Sequence, residues 1–313
     1  MQRRRRTKQR HLSPFLAFCI GSLAGFYVFG LLLGRKVIIS GQSSSGETGR
    51  KLWVGPNAMP FDKNSAARNA KHLIVVAGHS TIISGDLEDA GEDESDWFLL
   101  EYQKGQGLPQ AIKAHISTGI NEAKRDPESL LVFSGGETRA MTVGSEGPSY
   151  VYAADAMNMW PQGSNVRARV ATEEYALDSF QNLLFSICRF KELTGRFPTK
   201  ISVVSFTFKR RRFETLHAPA IRWPAHRFSY LGVNPPPSTG FNLEKSMQGE
   251  LQNAAKPFEN DPYGCAGILR KKRLERNPFH RTAPYPLSCP EMQDILSWCG
   301  PGFIPKTMVP WYV

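Results

Sequence analysis

Polar and charged side chains follow four apolar runs of this chain, each at the point where a buried strand would end. They are Gly78 and His79 after HLIVVA, Ser134, Gly135 and Gly136 after LLVF, Glu173 after VRARVAT, and Ser205, Lys209 and Arg212 after KISVV. Imidazole, carboxylate, amine and guanidinium groups are the side chains that move protons and bind anions. Because the carboxyl ends of parallel strands meet at one edge of a sheet, we expect a binding or catalytic site there.

Two of these side chains are candidates for catalysis, Glu173 and His79. A carboxylate at a strand end can act as a general base, bind a diol or hold a metal, whereas beside Glu174 it can also be one of a solvated pair. His79 is either an acid, a base or a hydrogen-bonded structural residue, and the structural reading is favoured for a lone histidine. Glu146 offers ligand binding or helix capping. No spacing predicts a metal site, and no cofactor is identified.

Basic residues and glycines indicate an anionic ligand. Four cations, from Lys209 to Arg212, would begin a helix, where positive charge opposes the helix dipole. An anionic ligand, the acidic segment 80–101 or plain solvation would compensate them. Gly135 and Gly136 either form an ordinary turn or present free N–H groups to an anion. The chain has no GxGxxG or P-loop motif, so neither of the usual nucleotide sites is predicted.

The remaining candidates for ligand binding are Gly78, Ser134, Asn182 and Ser205. Asn182 shares a helical face with Asp178 and lies on its apolar side, so its amide either touches ligand or orders the neighbouring loops. Ser134 lacks the GxSxG setting of a nucleophilic serine.

Segments of helical periodicity separate the apolar runs. Strands are predicted at 72–77, 130–133, 166–170, 201–205 and 228–232, with helices at 108–125, 149–160, 178–193 and 210–221. This alternation predicts βαβ units, which right-handed crossovers join into a mostly parallel sheet. The expected fold class is α/β, a Rossmann-like three-layer domain over residues 71–233, preceded by one transmembrane helix.

An uncharged stretch of 21 residues, 14–34, follows the basic segment 1–13. About 20 helical residues span a bilayer, so 14–34 is a candidate signal anchor. Because positive residues stay on the cytoplasmic side, we expect a single-pass membrane protein with a cytoplasmic N-terminus and a lumenal or extracellular body. The mitochondrial inner membrane is the alternative. Residues 1–51 contribute nine of the eleven formal positive charges, so the net charge does not indicate nucleic-acid binding.

Three further segments flank or interrupt the domain. Residues 35–70 are expected to be a flexible Ser/Gly-rich stalk, and 80–101 an acidic insertion that does not fold tightly on itself. Residues 234–313 are expected to be a Pro-rich C-terminal extension that wraps the domain. A bridge such as Cys289–Cys299 is one pairing that this extension allows, with the pairing left open.

Four motifs, VVAGH, FSGGETR, EEYALDSFQN and VSFTFKRRRF, occur in the order of a known pattern. In them the chain resembles the YdcF/SanA/ElyC-type family of domains of unknown function over residues 71–233. The matching residues are Gly78, Ser134, Gly135, Gly136, Ser145, Glu146, Glu173, Asn182, Ser205 and Arg212. Ser179, Gln181 and Lys209 replace the usual Thr, Glu and His. The resemblance implies a Rossmann-like fold and an activity that is unsettled in the family.

The sequence therefore predicts a membrane-anchored protein that binds a small phosphate-, nucleotide- or sugar-phosphate-like ligand at the strand ends, with hydrolytic or group-transfer chemistry. The alternative is a non-catalytic envelope or glycan-homeostasis factor, or a module that binds protein partners, whose identity is unknown.

Overall fold

Five parallel strands form the centre of the protein. The computed structural model describes residues 66–85, 87, 89–142 and 144–312. The strands of this part of the chain are β1 (His72–Ala77), β2 (Ser129–Ser134), β3 (Val170–Glu173), β4 (Lys200–Ser205) and β5 (Phe228–Gly232). They lie in the order β3-β2-β1-β4-β5, and every neighbouring pair is parallel. The predicted α/β class with a parallel, Rossmann-like sheet is confirmed.

Helices cover both faces of the sheet. They are α1 (Leu108–Arg125), α2 (Glu146–Ala156) and α3 (Ser179–Thr194), followed by a 3-10 turn (Thr207–Lys209), a π-helical turn (Arg212–His217) and α4 (Ala218–Ala220). Because strand side chains alternate between faces, Leu73 and Val75 pack with α3 on one side, while Ile74 and Val76 pack with α1 and α2 on the other. All six residues of β1 are buried, as its continuous apolar run predicts.

The C-terminal extension is part of the core. It contains α5 (Leu243–Glu250), a π-helical turn (Leu251–Ala255), α6 (Lys256–Asn260), α7 (Gly267–Glu275), α8 (Tyr285–Ser288) and α9 (Gln293–Ser297). Phe258, Tyr285 and Trp311 are buried in the same apolar cluster as α3. We call residues 234–312 the tail. It does wrap the domain, but its aromatic side chains also complete one face of the sheet.

The tail contains a disulfide bond that joins Cys265 to Cys299. The pairing Cys289–Cys299 is therefore wrong, because Cys289 is a buried free thiol that packs in the apolar cluster beneath the tail. Cysteine spacing alone does not show which thiols the fold brings together.

Several predicted boundaries are also corrected. β3 runs from 170 to 173 because 167–169 forms a 3-10 turn, which places the Arg169 guanidinium 2.6 Å from the Ser129 carbonyl oxygen. Helix α2 begins at Glu146 instead of 149, and the predicted 210–221 helix consists of a π-helical turn and the short helix α4, with a 3-10 turn before it. Residues 66–70, predicted to be the end of the stalk, belong to the domain, because Ala67 and Ala70 are buried in its core.

The acidic insertion packs against the domain instead of projecting from it. Trp97 is 2% exposed, and its indole N–H donates to the Ala90 carbonyl oxygen at 2.6 Å. The Ser80 hydroxyl donates to the Phe98 carbonyl oxygen at 2.7 Å, which closes the two ends of the segment together. The apolar residues in 80–101 outweigh its charge, so the expectation of a loose insertion is wrong.

Across the described residues, no helix combines the length and apolar character that crossing a bilayer requires. The predicted anchor 14–34, the basic segment 1–13 and most of the stalk lie outside the described residues.

Candidate functional site

The strand order reverses direction between β1 and β4. From β1 the chain builds outward to β2 and β3, and from β4 to β5 on the other side. In open parallel sheets this switch point leaves a crevice outside the carboxyl ends of the two central strands, and ligands bind there. His79 follows β1, Ser205 ends β4, and Lys209 lies four residues further on. We call His79, Lys209 and Glu146, whose side chain lies over Gly78 at the end of β1, the switch-point cluster.

Three polar side chains, those of His79, Ser205 and Lys209, meet at this switch point. The Lys209 Nζ atom lies 3.2 Å from His79 Nδ1, and His79 Nε2 lies 3.2 Å from the Ser205 hydroxyl oxygen. Phe206 stacks on the imidazole with ring centroids 4.7 Å apart, and Lys209 Nζ lies 5.2 Å from the centre of the same phenyl ring. Ser205 is fully buried, so it orients the histidine, while His79 and Lys209 stay partly exposed.

The pKa values of Lys209 and His79 are both lowered. Burial, followed by the charge of Arg212, lowers the pKa of Lys209 to about 7. Burial, followed by the charge of Lys209, holds the pKa of His79 well below its ordinary value. The imidazole is therefore neutral at neutral pH, and the lysine can both give and accept a proton there. This is the condition that general acid–base catalysis requires.

A carboxylate stands beside this pair. Glu146 is the first residue of α2, and its side chain lies over Gly78 and Gly135, where an added Cβ would come within 2.7 Å and 2.6 Å of Glu146 Oε2. The Thr138 hydroxyl donates to Glu146 Oε1 at 3.1 Å. Burial raises the pKa of Glu146, and Arg276, Arg139 and Lys209 oppose that rise. In the described part of the chain, Glu146 forms no direct ion pair with these cations.

The glycines act through their small size and not through free amides. The Gly135 N–H donates to the Glu173 carbonyl oxygen at 2.9 Å, and the Gly136 N–H donates to the Ala176 carbonyl oxygen at 2.8 Å. Neither amide is free for an anion, so the predicted backbone cradle is wrong. A side chain at Gly136 would meet the same carbonyl oxygen at 2.8 Å. Glycine allows α2 and the loop after β3 to approach the strand ends.

Glu173 lies in a second cluster, at the end of β3, and protein groups satisfy its carboxylate completely. Its Oε2 atom accepts from the Ser134 hydroxyl at 2.7 Å, and Oε1 accepts from the Tyr175 N–H at 2.8 Å and the Tyr285 hydroxyl at 2.9 Å. The Asn182 side-chain oxygen lies 3.1 Å from the same serine hydroxyl. We call Glu173, Ser134, Asn182 and Tyr285 the closed cluster.

The closed cluster has no opening for a substrate. Glu173 is 1% exposed and Tyr285, from the tail, covers it at 1% exposed. Burial raises the pKa of Glu173 to about 7 despite the hydrogen bonds that it accepts. Of the two interpretations of Asn182, the structure supports the ordering of loops. The predicted catalytic glutamate thus joins β2, β3, α3 and the tail.

Most of the basic run has protein partners. Arg210 pairs with Glu214 at 2.9 Å, Arg211 with Glu259, and Arg212 with Glu250 at 3.1 Å. Two of these carboxylates come from the tail and none from 80–101, so the segment predicted to compensate the charge does not do so. Arg212 is therefore part of a buried ion pair. Lys209 is the cation of this run that faces the crevice.

A histidine at the opposite edge of the sheet has the hydrogen-bonding pattern of a hydrolase triad. His72 Nδ1 lies 2.8 Å from Asp126 Oδ2, and His72 Nε2 lies 2.8 Å from the Ser202 hydroxyl oxygen. Ser202 is fully buried within β4, so no substrate reaches its oxygen. Burial lowers the pKa of His72, and the three residues tie β1 and β4 to the end of α1. Their role is structural.

Sequence reasoning missed Arg139, Arg276 and Tyr285. Arg276 follows α7, and its Nη1 donates to the Leu177 carbonyl oxygen at 2.9 Å. Arg139 ends the FSGGETR motif but was not chosen as a candidate, whereas Arg276 and Tyr285 lie in the tail, where no local periodicity connects them with the site. The many basic residues of the tail were a signal that it could contribute to an anion site, but they do not specify which one approaches Glu146.

A separate cavity of about 650 Å³ lies among the acidic insertion, α1 and the start of the tail, with Glu92, Gln110 and Thr239 in its lining. It does not include the switch-point cluster. Among the described residues, no group of three or more His, Cys, Asp or Glu side chains could hold a metal ion.

Fold and site together define an α/β protein with an acid–base cluster at the switch point of a parallel sheet. No family model matches the chain. It is 42% identical over 122 residues to the uncharacterized protein YOR238W of Saccharomyces cerevisiae, a match that covers 37% of this chain and 40% of the yeast protein. The chain thus spans less than half of that relative's length. No solved structure matches.

Proposed function

We propose that this protein binds a small anionic ligand, phosphate-, nucleotide- or sugar-phosphate-like, in the crevice between β1 and β4. The observation that carries the proposal is the 3.2 Å contact between Lys209 Nζ and His79 Nδ1 at the switch point. Two basic nitrogens at this distance share one proton, and an anion in the crevice stabilises the ammonium form of the lysine. The arrangement combines anion binding with a proton that can be transferred.

The supported chemistry is hydrolytic or group transfer, with Lys209 in the central role. As an ammonium group it neutralises the ligand and donates a proton to a leaving group. Neutral His79, held by Ser205, accepts the lysine N–H through Nδ1 and orients the amine, and solvent water returns the proton that the lysine gives to the leaving group. Glu146 accepts a hydrogen bond from the attacking hydroxyl or water and is the second candidate base. Glu173 has no part in this mechanism because its oxygens are already occupied.

We also propose that residues 14–34 anchor the protein in a membrane, with the described domain on the lumenal or extracellular side. The basic residues before this segment support that orientation. The Cys265–Cys299 bond supports an oxidising compartment for the domain. The mitochondrial inner membrane is the alternative location. Membership of the YdcF/SanA/ElyC-type family is likewise proposed, on the four motifs and the parallel sheet.

The test is thermal unfolding of the full-length chain in detergent against nucleotides, sugar phosphates, anionic glycans and divalent metals. A saturable rise of the midpoint in the wild type, lost in Lys209→Met and retained in Arg210→Met, supports binding at the crevice. Arg210 is the matched control because it is an exposed neighbour that pairs with Glu214. The proposal fails if no anionic compound raises the midpoint, or if both variants respond like the wild type.

The second candidate is a non-catalytic envelope or glycan-homeostasis factor. The closed cluster favours it, because the end of β3 then offers no free carboxylate for catalysis. A ligand that binds both the wild type and Glu146→Gln, with no turnover by either, would establish this reading.

A further inference from the structure

The cations near the switch point fall into two groups, those with an ion-pair partner and those without one. Arg210, Arg211 and Arg212 pair with Glu214, Glu259 and Glu250, while Arg273 pairs with Asp178 and Arg281 with Glu137. In the part of the chain that the structure describes, Lys209, Arg139 and Arg276 have no such ion pair. Lys209, Arg139 and Arg276 thus differ from these five arginines, whose charge is neutralised by a carboxylate.

Hydrogen bonds bring the segments that carry the unpaired cations to one carboxylate. The Thr138 hydroxyl, on the residue before Arg139, donates to Glu146 Oε1 at 3.1 Å, and the Glu146 N–H donates to the Gly136 carbonyl oxygen at 3.2 Å. The Gly136 N–H in turn donates to the carbonyl oxygen of Ala176, the residue before Leu177. The charges of Arg276, Arg139 and Lys209 also oppose the rise of the Glu146 pKa. One Arg276 N–H is used by the Leu177 carbonyl oxygen at 2.9 Å, and the planar guanidinium carries further donors.

The charges of this group do not balance. With Lys209 protonated, three positive charges and the one negative charge of Glu146 leave two positive charges uncompensated. In the part of the chain that the structure describes, none of the three cations forms an ion pair with Glu146, so guanidinium N–H groups remain available to a ligand. Two guanidinium groups and an ammonium group offer the forked and point donors that phosphate oxygens accept.

We infer that Arg139, from the loop after β2, and Arg276, from the tail, join Lys209 in binding a dianionic phosphate group of the ligand. This inference rests on the proposed function and narrows its ligand to a phosphate monoester or diphosphate. Glu146 faces the same group and accepts a hydrogen bond from a hydroxyl next to the phosphorus or from the attacking water. The tail, which also completes the core, then supplies part of the binding site.

Calorimetric titration of the full-length chain in detergent with inorganic phosphate, at pH 7 and constant ionic strength, tests the inference. The variants are Arg276→Gln and Arg139→Gln, which remove the charge and keep a polar side chain with N–H donors. Arg270→Gln is the control, because Arg270 is an exposed residue of α7, the helix that ends directly before Arg276. Each variant's thermal midpoint shows whether it is folded.

We expect Arg276→Gln and Arg139→Gln each to weaken phosphate binding about tenfold, which corresponds to about 1.4 kcal/mol. Lys209→Met should abolish binding, and Arg270→Gln should bind like the wild type. Glu146→Gln should bind phosphate more tightly by a few fold, since it removes a negative charge beside the anion. That gain of affinity is a result that a loss of folding cannot produce.

Three other results would overturn the inference. If Lys209→Met loses phosphate while both arginine variants keep it, the crevice binds anions and the two arginines do not. If phosphate fails to bind but another anion raises the midpoint through Lys209, the proposed function stands and the phosphate assignment is wrong. If weak phosphate binding survives every substitution, it is adventitious, and the site is not where we place it.

Discussion

Glu146, the first residue of α2, and Glu173, the last residue of β3, differ in how their carboxylates are hydrogen-bonded. Glu146 and Glu173 both match the predicted site, and burial raises the pKa of each. Glu173 accepts three hydrogen bonds of 2.7 to 2.9 Å from protein groups and is 1% exposed. Glu146 accepts from Thr138 at 3.1 Å and faces three cations without touching them. The two side chains share a chemistry and differ in how fully the protein satisfies it.

This difference separates a structural carboxylate from one that is available to a ligand. A buried polar group with every partner in place stabilises the fold, and a ligand would have to displace those partners. A buried charge whose partners remain at a distance raises the energy of the folded state, and an added ligand can lower it. Perturbed pKa values occur in both settings, so hydrogen-bond satisfaction distinguishes them better than the pKa does.

Glu173→Ala should give the largest loss of stability. The change leaves the Tyr175 N–H and the Tyr285 hydroxyl without their acceptor and the Ser134 hydroxyl with only its longer contacts to the Asn182 oxygens, and a buried unsatisfied group costs roughly 1–3 kcal/mol. We expect the free energy of unfolding to fall by about 3–5 kcal/mol in urea titrations. A loss below about 1 kcal/mol would show that the closed cluster does not hold the tail in place.

Removal of the tail disulfide by the double change Cys265→Ser and Cys299→Ser should give the next effect. The bridge closes a sequence separation of 34 residues, and disulfides of this kind contribute about 2–4 kcal/mol. Urea titration measures the loss. Dithiothreitol should lower the wild type to the same value and leave the double variant unchanged. A wild type that is insensitive to reductant would argue against a role for the bridge in stability.

Glu173→Gln should change the pH dependence of stability. The folded pKa of Glu173, about 7, exceeds its ordinary value of 4.5, so the folded state binds the extra proton between these values. That contribution is fully present below 4.5 and is lost as pH rises through 7. At roughly 1.4 kcal/mol per pKa unit, the glutamine variant should gain on the order of 1–3 kcal/mol over the wild type between pH 5 and pH 8. Parallel stability profiles for both proteins would show that the carboxyl group is not the one that titrates.

The contrast between the clusters also shows what sequence could predict. Strand β1 was predicted residue by residue, because a run buried on both faces has a composition that local reading detects. The alternation of strands and helices placed His79 and Lys209 at the same edge of the sheet, whereas their direct contact was not predicted. The partner of Glu173 could not be found this way. Tyr285 lies 112 residues further along, in a tail of short helices whose packing no periodic pattern specifies.

Gly135 and Gly136 also show that the sequence can indicate a close approach without identifying the group that approaches. Gly135 and Gly136 were correctly placed at the end of β2, and the need for close backbone approach was also correct. The closely approaching groups turned out to be the Glu146 side chain and the Ala176 carbonyl oxygen, not a ligand. Residue type reveals that space is needed, whereas the identity of the neighbour depends on contacts distant in sequence.

Lys209→Met should have the smallest effect on stability and the most specific effect on binding. The folded pKa of Lys209, about 7, lies below its ordinary value of 10.5, so the unfolded chain binds the proton more tightly between these values. The lysine therefore costs stability at pH 7 and below, and this cost fades as pH rises toward 10.5. Methionine keeps the aliphatic stem against Phe206 and Phe208, so the variant should be more stable than the wild type at pH 6, by on the order of 1 kcal/mol or less.

The same substitution should remove the ligand response. An anion stabilises the lysine ammonium and binds together with a proton above pH 7, so wild-type affinity should fall as pH rises from 7 to 9, and Lys209→Met should show neither the affinity nor the pH dependence. Thermal midpoints at pH 6, 7 and 9, with and without ligand, measure both effects. A variant that is destabilised at pH 6 and still responds to ligand would place Lys209 with Glu173 among the structural residues. A variant that is stabilised and unresponsive would show that the fold gives up stability at this position to keep a basic nitrogen available to the ligand.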